Sequence, residues 1–432
     1  MPETVDINVH HVTRLEGHGN IVLKASNGTI EKLEWQVPEA PRFFEAMVRG
    51  RSYMDIQTIS SRICGICSVT HSLAAIKAVE DAMGIKVSEQ ADKLRVLLHY
   101  GEQLESHALH VGYLVAPDLM GQKSVIPLVA THPDVVKTVI RLHRLGNEWM
   151  ELLGGRMTHP VSLRPGGLGK LPTAEELEGL KERLEKSVPD LKAVASFVLS
   201  VAGRLPSFNR GTEYISLVDG GAYTFYHGGI GSTDTAEVVP VRQFERVVNE
   251  HVVPQSTAKW ARWHRDSYAV GALARFNLNA DGLLPLAAAT AAGLGLKKGC
   301  CNPYMNSVAQ LVEAVQVVEH GIQLIDEVLT AGIKEEKIKV KPRAGEGAGA
   351  VEAPRGILFH RYAFDQDGNC TKANLVIPTN QNHANIQKDL EELVPQIMDR
   401  SQDQIRLLME MLVRSYDPCI SCSTHYLDVK FV

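Results

Sequence analysis

Two short segments near opposite ends of the chain carry the residues best suited to metal chemistry. Each has two cysteines separated by two residues and a histidine soon after, and they comprise Cys64, Cys67 and His71, and Cys419, Cys422 and His425. Thiolates and imidazoles are strong ligands for transition metals. Because the entropic cost of closing a loop grows only logarithmically with its length, a separation of roughly 350 residues does not keep the two pairs apart. The pattern therefore predicts one metal centre assembled from both ends of the chain.

The spacing of the cysteines leaves the metal open. Four thiolates in two Cys-x-x-Cys units are the usual ligands of structural zinc, and iron–sulfur clusters and other transition-metal sites use the same residues. Structural zinc usually joins pairs that lie close in sequence and stabilises a unit that lacks a core. A redox-active pair of the thioredoxin kind would account for one unit and not two. A chain of 432 residues with 44% hydrophobic content can form a large core, which weakens the zinc interpretation.

Composition and charge narrow the class of protein. The net charge of -5, from 45 basic and 50 acidic residues, gives no electrostatic basis for nucleic-acid binding. No apolar run reaches the ~20 residues that a transmembrane segment needs, and the N-terminus has no apolar signal region. Seven cysteines, an odd number, favour metal ligands and buried thiols over disulfides. We therefore expect a cytoplasmic protein, in which Cys300, Cys301 and Cys370 are core or loop thiols.

The elements that position these residues are predicted to be mainly helical. Apolar residues recur at three- and four-residue spacing, and the predicted helices cover 41–50, 71–83, 89–114, 132–153, 173–202, 241–253, 306–331 and 385–416. β-like runs lie near the N-terminus (5–12, 21–24 and 33–37), in the middle (214–239) and near the C-terminus (356–377). Asn27-Gly28 is a turn signal, and the glycine-rich stretch 345–351 is expected to be flexible. Residues 1–432 are predicted to form a single domain of the α+β class, mainly α, with a large helical core and small β-sheets.

Longer motifs around the cysteines resemble a known family. Residues 62–71 read R-x-C-G-x-C-x-x-x-H and residues 417–425 read D-P-C-x-x-C-x-x-H, and together they closely resemble the large, catalytic subunit of nickel–iron hydrogenases. Three further segments resemble family segments in the family's order, namely RLEGH at 14–18, EAPRG at 352–356 and VIPT at 376–379. The related large subunit of respiratory complex I shares the fold but lacks the four cysteines. The short length and the ISCSTH sequence resemble the cytoplasmic, cofactor-coupled branch of the family.

The resemblance implies a binuclear centre and an activity. It makes Cys64 and Cys419 terminal nickel ligands, and Cys67 and Cys422 bridging ligands between nickel and an iron that carries carbon monoxide and cyanide. The implied reaction is the reversible heterolytic cleavage of dihydrogen to protons and electrons, for which soft thiolates and a nearby base are suited. The alternative function is a hydrogen-sensing or non-catalytic scaffold subunit with the same metal site.

The resemblance also implies protein partners. The chain has no further cysteine-rich segment for iron–sulfur clusters and no glycine-rich dinucleotide fingerprint. Electrons must therefore pass to other proteins. The expected partners are an iron–sulfur small subunit, together with further electron-transfer subunits of the nicotinamide, deazaflavin or heterodisulfide reductase type.

Three residues receive catalytic roles from the resemblance. Glu16 is expected to be the first proton relay, hydrogen-bonded to the thiolate of Cys419, although its local sequence alone indicates an exposed loop carboxylate. Arg355 resembles the arginine that lies over the open metal position and donates to a cyanide, and its planar guanidinium stays charged. Asp118 is expected to pair with Arg355 or, alternatively, to cap the start of a helix.

Two more residues are expected next to the metals. Thr379 resembles the hydroxyl residue that hydrogen-bonds the other cyanide, the alternative being an ordinary threonine at a strand end. His71 lies one helical turn after Cys67 and is expected to direct an N–H toward the sulfur of Cys422. The remaining histidines are expected to be structural or exposed, among them His10, His11, His107 and His110.

The end of the chain resembles the family's second metal site and its processing site. Glu45, the Leu375 carbonyl and His425 resemble the ligands of a buried magnesium, or iron, ion, and oxygen donors suit magnesium. Glu45 taken alone is typical of a solvated helix carboxylate. In the family a protease removes the residues that follow this histidine. Residues 426–432 are therefore predicted to be a removable extension, the alternative being a short buried strand.

Overall fold

The computed structural model of the protein describes residues 4–336 and 340–425. The strands are β1 (Thr4–Val9), β2 (Asn20–Ser26), β3 (Thr29–Gln36), β4 (Leu163–Arg164), β5 (Gly167–Leu168), β6 (Glu213–Val218), β7 (Gly229–Ser232), β8 (Thr235–Val239), β9 (Asn249–Val253), β10 (Ser256–Arg262), β11 (Tyr268–Ala269), β12 (Gly345–Ala353), β13 (Gly356–Phe364) and β14 (Cys370–Val376). The α-helices are α1 (Phe44–Met47), α2 (Ile56–Ser60), α3 (Ser68–Met83), α4 (Glu89–Leu109), α5 (Ala116–Leu119), α6 (Ile126–Thr131), α7 (Pro133–Gly154), α8 (Ala174–Val201), α9 (Ala272–Asn279), α10 (Pro285–Gly293), α11 (Asn306–Ala331), α12 (Pro378–Ile397), α13 (Gln402–Ser415) and α14 (Ile420–Ser423). The predicted class, α+β and mainly α, is confirmed.

The N-terminal sheet consists of β1, β2 and β3 in antiparallel order. Side chains of β1 alternate between exposed and buried, which is the pattern of a strand that covers a core. Asn27 and Gly28 join β2 to β3 with φ values of 51° and 77°, so the predicted turn is confirmed. Trp35 of β3 is fully buried, and its indole N–H donates to His383 of α12 at 2.9 Å. This contact fixes the sheet against the helix that carries Thr379.

The helices α4, α7, α8 and α11 pack on one another and form the central layer. α4 begins at Ser88, whose hydroxyl accepts a backbone N–H of the first turn at 3.0 Å, and α8 begins with a capping box at Thr173. α4 and α7 approach so closely that a Cβ on Gly146 would lie 2.6 Å from the backbone nitrogen of Glu105. α4 thereby presents a buried face to α3, which begins directly after Cys67.

The expectation that residues 345–351 are flexible is wrong. They lie in β12, which is largely buried and packs along α3. A Cβ added to Gly345, Gly347 or Gly349 would come within 2.4 Å of backbone atoms of α3. The glycines therefore allow a strand and a helix to pack closely, a role that composition alone does not distinguish from a flexible linker.

Two predicted helices are also wrong. Residues 241–246 form a 3₁₀ turn, and the residues after them form β9, which pairs with β10 in an antiparallel hairpin. The valine-rich sequence of this stretch suits a strand. The predicted helix 385–416 is two helices, α12 and α13, because Ser401 starts a new helix with a capping box. The short helices α9 and α10 were not predicted.

Apolar residues from the N-terminal sheet, the helical layer and the C-terminal helices join one large buried cluster. All four cysteines of the two motifs belong to it. A smaller cluster lies between the middle sheet and β12–β13. Among the described residues, no helix is both long and apolar enough to cross a membrane.

Candidate metal centre

The four cysteines of the two motifs converge. Their sulfur atoms lie within 4.8 Å of one another, and all four residues are buried. The sulfur of Cys64 is 3.7 Å from that of Cys419, and the sulfur of Cys67 is 3.8 Å from that of Cys422. Metal–thiolate bonds of about 2.3 Å place ligands of one ion up to ~4.6 Å apart, so the spacing matches a shared centre. Cys419 and Cys422 are joined as a disulfide, and in the reduced form their thiolates are metal donors.

The N-terminal cysteine pair lies in the loop that leads into α3. The backbone N–H groups of Ile66 and Cys67 both point at the sulfur of Cys64, at 3.3 Å each. The hydrogen bond from the Cys67 thiol lowers the pKa of Cys64 to about 7, although burial acts in the opposite direction. Both effects of the loop favour the thiolate, which is the form that binds metal.

Glu102 of α4 caps the first turn of α3, a role that the sequence did not reveal. Its carboxylate accepts the backbone N–H groups of Val69 at 2.6 Å and Thr70 at 3.1 Å, and the Thr70 hydroxyl. Burial raises the pKa of Glu102 to about 8. Nothing in the local sequence marks this residue, because it lies in the middle of a helix and its partners belong to another one.

The C-terminal cysteine pair has little regular structure around it. α14 contains four residues, and Asp417 before it has a φ of 50°. Side chains from α12 hold the segment instead. The Thr379 hydroxyl accepts the backbone N–H of Cys419 at 3.1 Å, and the Asn380 amide donates to the last carbonyl of α14 at 3.0 Å.

One arginine joins the two cysteine segments. The guanidinium of Arg42 donates to the carbonyl of Ser421 from Nε at 3.0 Å and from Nη2 at 2.5 Å, and Nη2 also donates to the carbonyl of Ile63. The backbone N–H of Arg42 donates to the carbonyl of Thr424 at 2.6 Å. Sequence reasoning missed Arg42, because its position in a short loop carries no recognisable signal.

Glu16 lies beside the C-terminal pair, as expected. Its backbone forms a parallel bridge with Cys419, and its Oε2 is 3.2 Å from the Cys419 sulfur. The same carboxylate accepts the backbone N–H of Ser421 at 3.0 Å and the Ser421 hydroxyl at 2.5 Å. Gly17 has a φ of 80°, and a Cβ there would lie 2.7 Å from the Ile420 side chain. The glycine after Glu16 therefore permits the close approach of the two segments.

Arg355 is buried next to the cysteines, and its partner is Asp417. Nε donates to the Asp417 carbonyl at 2.7 Å, and Nη2 donates to the Asp417 carboxylate at 3.1 Å. Nη1 is buried and has no hydrogen-bond partner among the described residues. Burial acts against the charged form, but Asp417 and the two N-terminal cysteines raise the pKa of Arg355 above its ordinary value. Asp417 was missed as a partner, although it is the aspartate of the D-P-C motif.

The expected pairing of Asp118 with Arg355 is wrong. Asp118 binds Arg414 of α13 at 2.7 and 3.0 Å, and Arg14 at 2.5 Å. A cap role is also wrong, because Val115 is the first flanking residue of α5 and Asp118 lies inside the helix. The chain between α4 and α5 forms a π-helical turn, and the end of α13 passes directly beside it. Asp118 therefore joins α5 to α13 and does not contact Arg355.

The expected contact of His71 with Cys422 is not made. His71 Nδ1 lies 3.2 Å from Nε2 of His360 in β13, and His360 Nδ1 lies 2.7 Å from the Tyr362 hydroxyl. Burial lowers the pKa of His71 to about 3, so its ring is neutral and has a single N–H. His71 makes no hydrogen bond to the Cys422 sulfur within the described ranges, because β13 packs against α3 and provides the nearer partner.

Glu45, Leu375 and His425 come together behind the cysteines. His425 Nε2 is 2.7 Å from the Leu375 carbonyl oxygen and 3.7 Å from Glu45 Oε1, and Glu45 also accepts the Leu375 N–H at 2.8 Å. Glu45 is 5% exposed, so it is not a solvated carboxylate. Burial raises the pKa of Glu45 to about 7 and lowers that of His425 to about 4. One oxygen of nearby Glu250 is buried without a partner in the described structure.

The other cysteines and histidines lie outside these clusters. Cys370 is buried and its sulfur contacts the Lys372 carbonyl, whereas Cys300 and Cys301 are half-buried in a loop. Two histidines of α4 and the following turn are buried in hydrogen bonds, with His107 on Glu313 and His110 on Gln310 and Arg414, and two near the N-terminus are exposed, His10 and His11.

The sequence and the structure are similar to those of known proteins. The family described as nickel-dependent hydrogenase matches residues 42–139 and 256–425. The alpha chain of sulfhydrogenase 2 from Pyrococcus furiosus is 33% identical over 424 residues, which cover 98% of this chain and 100% of the relative. The F420-non-reducing hydrogenase vhc of Methanococcus voltae contains a polypeptide that is 30% identical, over 97% of this chain and 94% of the relative.

A solved structure extends the similarity to the whole fold. The crystal structure of an NAD+-reducing [NiFe]-hydrogenase in the H2-reduced state superimposes with a TM-score of 0.87 at 27% identity. The match covers 97% of this chain and 99% of the chain in that structure.

Proposed function

This chain belongs to the nickel-dependent hydrogenase family as a large, catalytic subunit, and from that premise we propose that its four-cysteine centre performs the reversible heterolytic cleavage of dihydrogen. One observation carries the proposal. Four buried sulfurs from both ends of the chain meet beside one carboxylate, Glu16, and one guanidinium, Arg355. A soft metal site, a base and a fixed cation are the three components that this reaction needs.

The residues fit a nickel–iron pair. We assign Cys64 and Cys419 as terminal nickel ligands, and Cys67 and Cys422 as bridging ligands to an iron that carries carbon monoxide and cyanide. Two observations support the fit: the donor set consists only of sulfur atoms, which these metals prefer, and the buried Nη1 of Arg355 has no protein partner among the described residues. The bound metals would supply the Lewis acid that polarises dihydrogen.

Glu16 is proposed to move the proton. Its Oε2, 3.2 Å from the Cys419 sulfur, can accept a proton from that thiol. The N–H and hydroxyl of Ser421 hold the carboxylate in this position. Glu16 is only partly buried, so the proton can continue to solvent from the same side chain.

Arg355 and Thr379 are proposed to orient the iron's diatomic ligands. The Asp417 contacts fix Nε and Nη2 of Arg355, which leaves Nη1 to donate into the centre. The Thr379 hydroxyl accepts the Cys419 N–H, and its own proton remains available for the second cyanide.

We propose a second cation site at Glu45, the Leu375 carbonyl and His425. Two oxygen donors and one imidazole converge there, and the unpartnered oxygen of Glu250 nearby supports a missing positive charge or water ligand. Magnesium suits this oxygen-rich set best, with iron as the alternative. The ion would fix the end of the C-terminal cysteine segment.

Electrons are proposed to leave through an iron–sulfur small subunit. In the described parts of the chain, the four cysteines form the one group with metal-binding geometry. Large apolar side chains are exposed around the N-terminal cysteine loop, at Phe43, Met47, Met54, Met157 and Val161. His159 ties the last two to that loop, because its backbone N–H donates to Ser68 at 2.9 Å. Such a patch suits a protein partner.

Further partners and the location are proposed from the relatives and from the cysteines. Relatives include an F420-non-reducing hydrogenase and an NAD-reducing hydrogenase, so we propose electron-transfer subunits of the nicotinamide, deazaflavin or heterodisulfide reductase type. The use of cysteines as metal donors supports a cytoplasmic location.

Residues 426–432 lie outside the described residues, and we propose that they are removed after His425. His425 is fully buried with both ring nitrogens in contact with carbonyls, which supports a role as the final residue of the active enzyme. Intact-mass measurement of nickel-loaded, active enzyme should give a chain that ends at His425. A mass that includes Val432 would show that removal is not required.

Anaerobic purification of the complex tests the main proposal. Elemental analysis should find nickel and iron, infrared spectra should contain carbonyl and cyanide bands, and dihydrogen should drive dye reduction. A chain with zinc alone would contradict the proposal. A nickel–iron centre without turnover would instead favour a sensor or scaffold.

A further inference from the structure

A second buried arginine, Arg275, lies behind Arg355. Its guanidinium binds Glu313 of α11 through Nε and Nη2 at 2.6 Å each, and Glu352 of β12 through Nη1 at 2.9 Å. All three charged side chains are fully buried. His107 and Tyr223 donate to Glu313 at 2.9 and 2.7 Å. The cluster is therefore well satisfied, but a buried ion pair is by itself weak evidence for a role in stability.

The same guanidinium also holds the backbone just before Arg355. Nη1 donates to the Ala353 carbonyl at 2.9 Å, and Nη2 donates to the Pro354 carbonyl at 3.0 Å. Ala353 pairs with Gly356 across the β12–β13 ladder, so Pro354 and Arg355 form the two-residue loop of this hairpin. Loop tips are usually the most mobile part of a hairpin. Here one side chain fixes the two carbonyls on which the direction of the Arg355 side chain depends.

The other side of the loop is fixed by close packing on the start of α9. Gly271 precedes α9, and a Cβ there would lie 3.2 Å from the Arg355 carbonyl oxygen. Gly356 has a φ of 134°, and a Cβ there would lie 2.4 Å from the Val270 side chain. Arg275 belongs to the same helix, one turn after Gly271, and its backbone N–H donates to the Gly271 carbonyl at 3.0 Å. The helix therefore fixes the loop by its backbone and by the Arg275 side chain together.

We propose that Arg275 is a positioning residue for Arg355: it holds the Ala353 and Pro354 carbonyls so that the free Nη1 of Arg355 points into the metal centre. The inference rests on the proposed function of Arg355. An error of about 1 Å in a group that acts on the reacting atoms can lower the rate by about 10²-fold. Lysine cannot replace the planar fork that reaches two carboxylates and two carbonyls at once.

The chain offers a matched control in Arg95. Arg95 is equally buried, binds both oxygens of Glu80 at 2.9 and 2.7 Å, and donates to the carbonyls of Arg164 at 2.9 Å and Gly167 at 3.3 Å. It has the same kind of structural contacts as Arg275 but none with the Arg355 loop. Substitutions of the two arginines by lysine should therefore differ only in what they do to the metal centre.

The test compares Arg275→Lys, Arg355→Lys and Arg95→Lys in the complete complex. We expect Arg275→Lys to retain nickel and iron, to lower dye reduction per nickel by about 10²-fold, and to shift the infrared cyanide bands as Arg355→Lys does. Arg95→Lys should leave the rate per nickel and the bands unchanged. If the Arg275 variant matches the Arg95 variant while the Arg355 variant loses activity, the inference is wrong and the proposed function stands. If Arg355→Lys keeps full activity, the proposed role of Arg355 fails and the inference fails with it.

Two further measurements cover a variant that does not load metal. In the metal-free chain, hydrogen–deuterium exchange across residues 345–364 should be faster for Arg275→Lys than for Arg95→Lys, and equal rates would overturn the inference. Glu352→Gln removes one carboxylate from Arg275 and leaves the Glu313 pair intact. It should shift the cyanide bands in the same direction with a smaller loss of rate, and unchanged bands would overturn the inference.

Discussion

The two cysteine pairs reach one centre from different structural surroundings. The N-terminal pair leads into α3, a helix of 16 residues that packs against β12, β13 and α4. The C-terminal pair lies at α14, which has four residues. Backbone N–H groups of its own loop surround the Cys64 sulfur, whereas the Cys419 segment is held by the side chains of Glu16, Arg42 and Thr379. Local structure fixes the first pair, and distant side chains fix the second.

This difference indicates the order in which the centre is completed. A segment held by a few side-chain contacts opens at a lower free-energy cost than a helix packed into the core. We therefore expect residues 64–71 to keep their structure when residues 417–425 detach. Such an order would leave the N-terminal thiolates exposed to incoming metal, and it agrees with the proposed removal of residues after His425.

Loss of one cysteine from either pair should have the largest effect. Cys67→Ser and Cys422→Ser each remove a proposed bridging thiolate, so both should abolish nickel retention and hydrogen-dependent dye reduction. Cys370→Ser, a buried thiol outside the centre, is the control and should retain both. Nickel retention in either motif variant would separate the two pairs and contradict a shared centre.

Glu16→Gln should have the next largest effect. Gln retains the shape of the side chain and an acceptor for the Ser421 N–H, but it cannot accept a proton from Cys419. We expect turnover to fall by about 10²–10⁴-fold, with nickel and iron content unchanged. Hydrogen–deuterium exchange catalysis measures the step, and the exposed Glu31→Gln is the control. A loss of less than about twofold would remove Glu16 from the proton path.

Arg42→Lys should loosen the C-terminal segment selectively. The variant loses charged hydrogen bonds to the carbonyls of Ser421 and Ile63, each worth about 1.5–3 kcal/mol. Backbone hydrogen–deuterium exchange should increase at least about tenfold in residues 417–425 and change little in α3. The exposed Arg49→Lys is the control. Equal acceleration in both segments would contradict the contrast between them.

Glu102→Gln should produce the smallest effect, on the pH dependence of stability. Burial raises the pKa of Glu102 from 4.5 to about 8, so between these values the folded chain binds more protons than the unfolded chain. The free energy of unfolding should therefore fall as pH rises through this window, with a slope of at most about 1.4 kcal/mol per pH unit from this group. Gln does not titrate, so the variant should show a shallower dependence. Parallel curves for the two proteins would contradict the assignment.

The features that could be predicted from the sequence are the local ones. The helix 306–331 was predicted with its observed bounds, because its apolar residues recur over 26 residues. The meeting of the two cysteine motifs followed from their shared chemistry. The strand β12 could not be predicted, since the glycines that allow its packing on α3 are also typical of a linker.

The contacts that orient the centre depend on tertiary structure. Asp118 and Asp417 were both available to pair with Arg355, and only the paths of α5 and α13 decide between them. Glu102 and Arg42 act on segments far from their own positions in the chain. Arg275 lies in a helix that was not predicted at all, because eight residues give a weak periodic signal.

Anomalous X-ray scattering at the nickel and iron edges, on crystals of the active complex, tests the central claim most directly. We predict one nickel peak about 2.3 Å from the sulfurs of Cys64, Cys67, Cys419 and Cys422, and one iron peak next to Cys67 and Cys422. A single zinc ion at these sulfurs, or an intact Cys419–Cys422 disulfide in turnover-competent enzyme, would contradict the account.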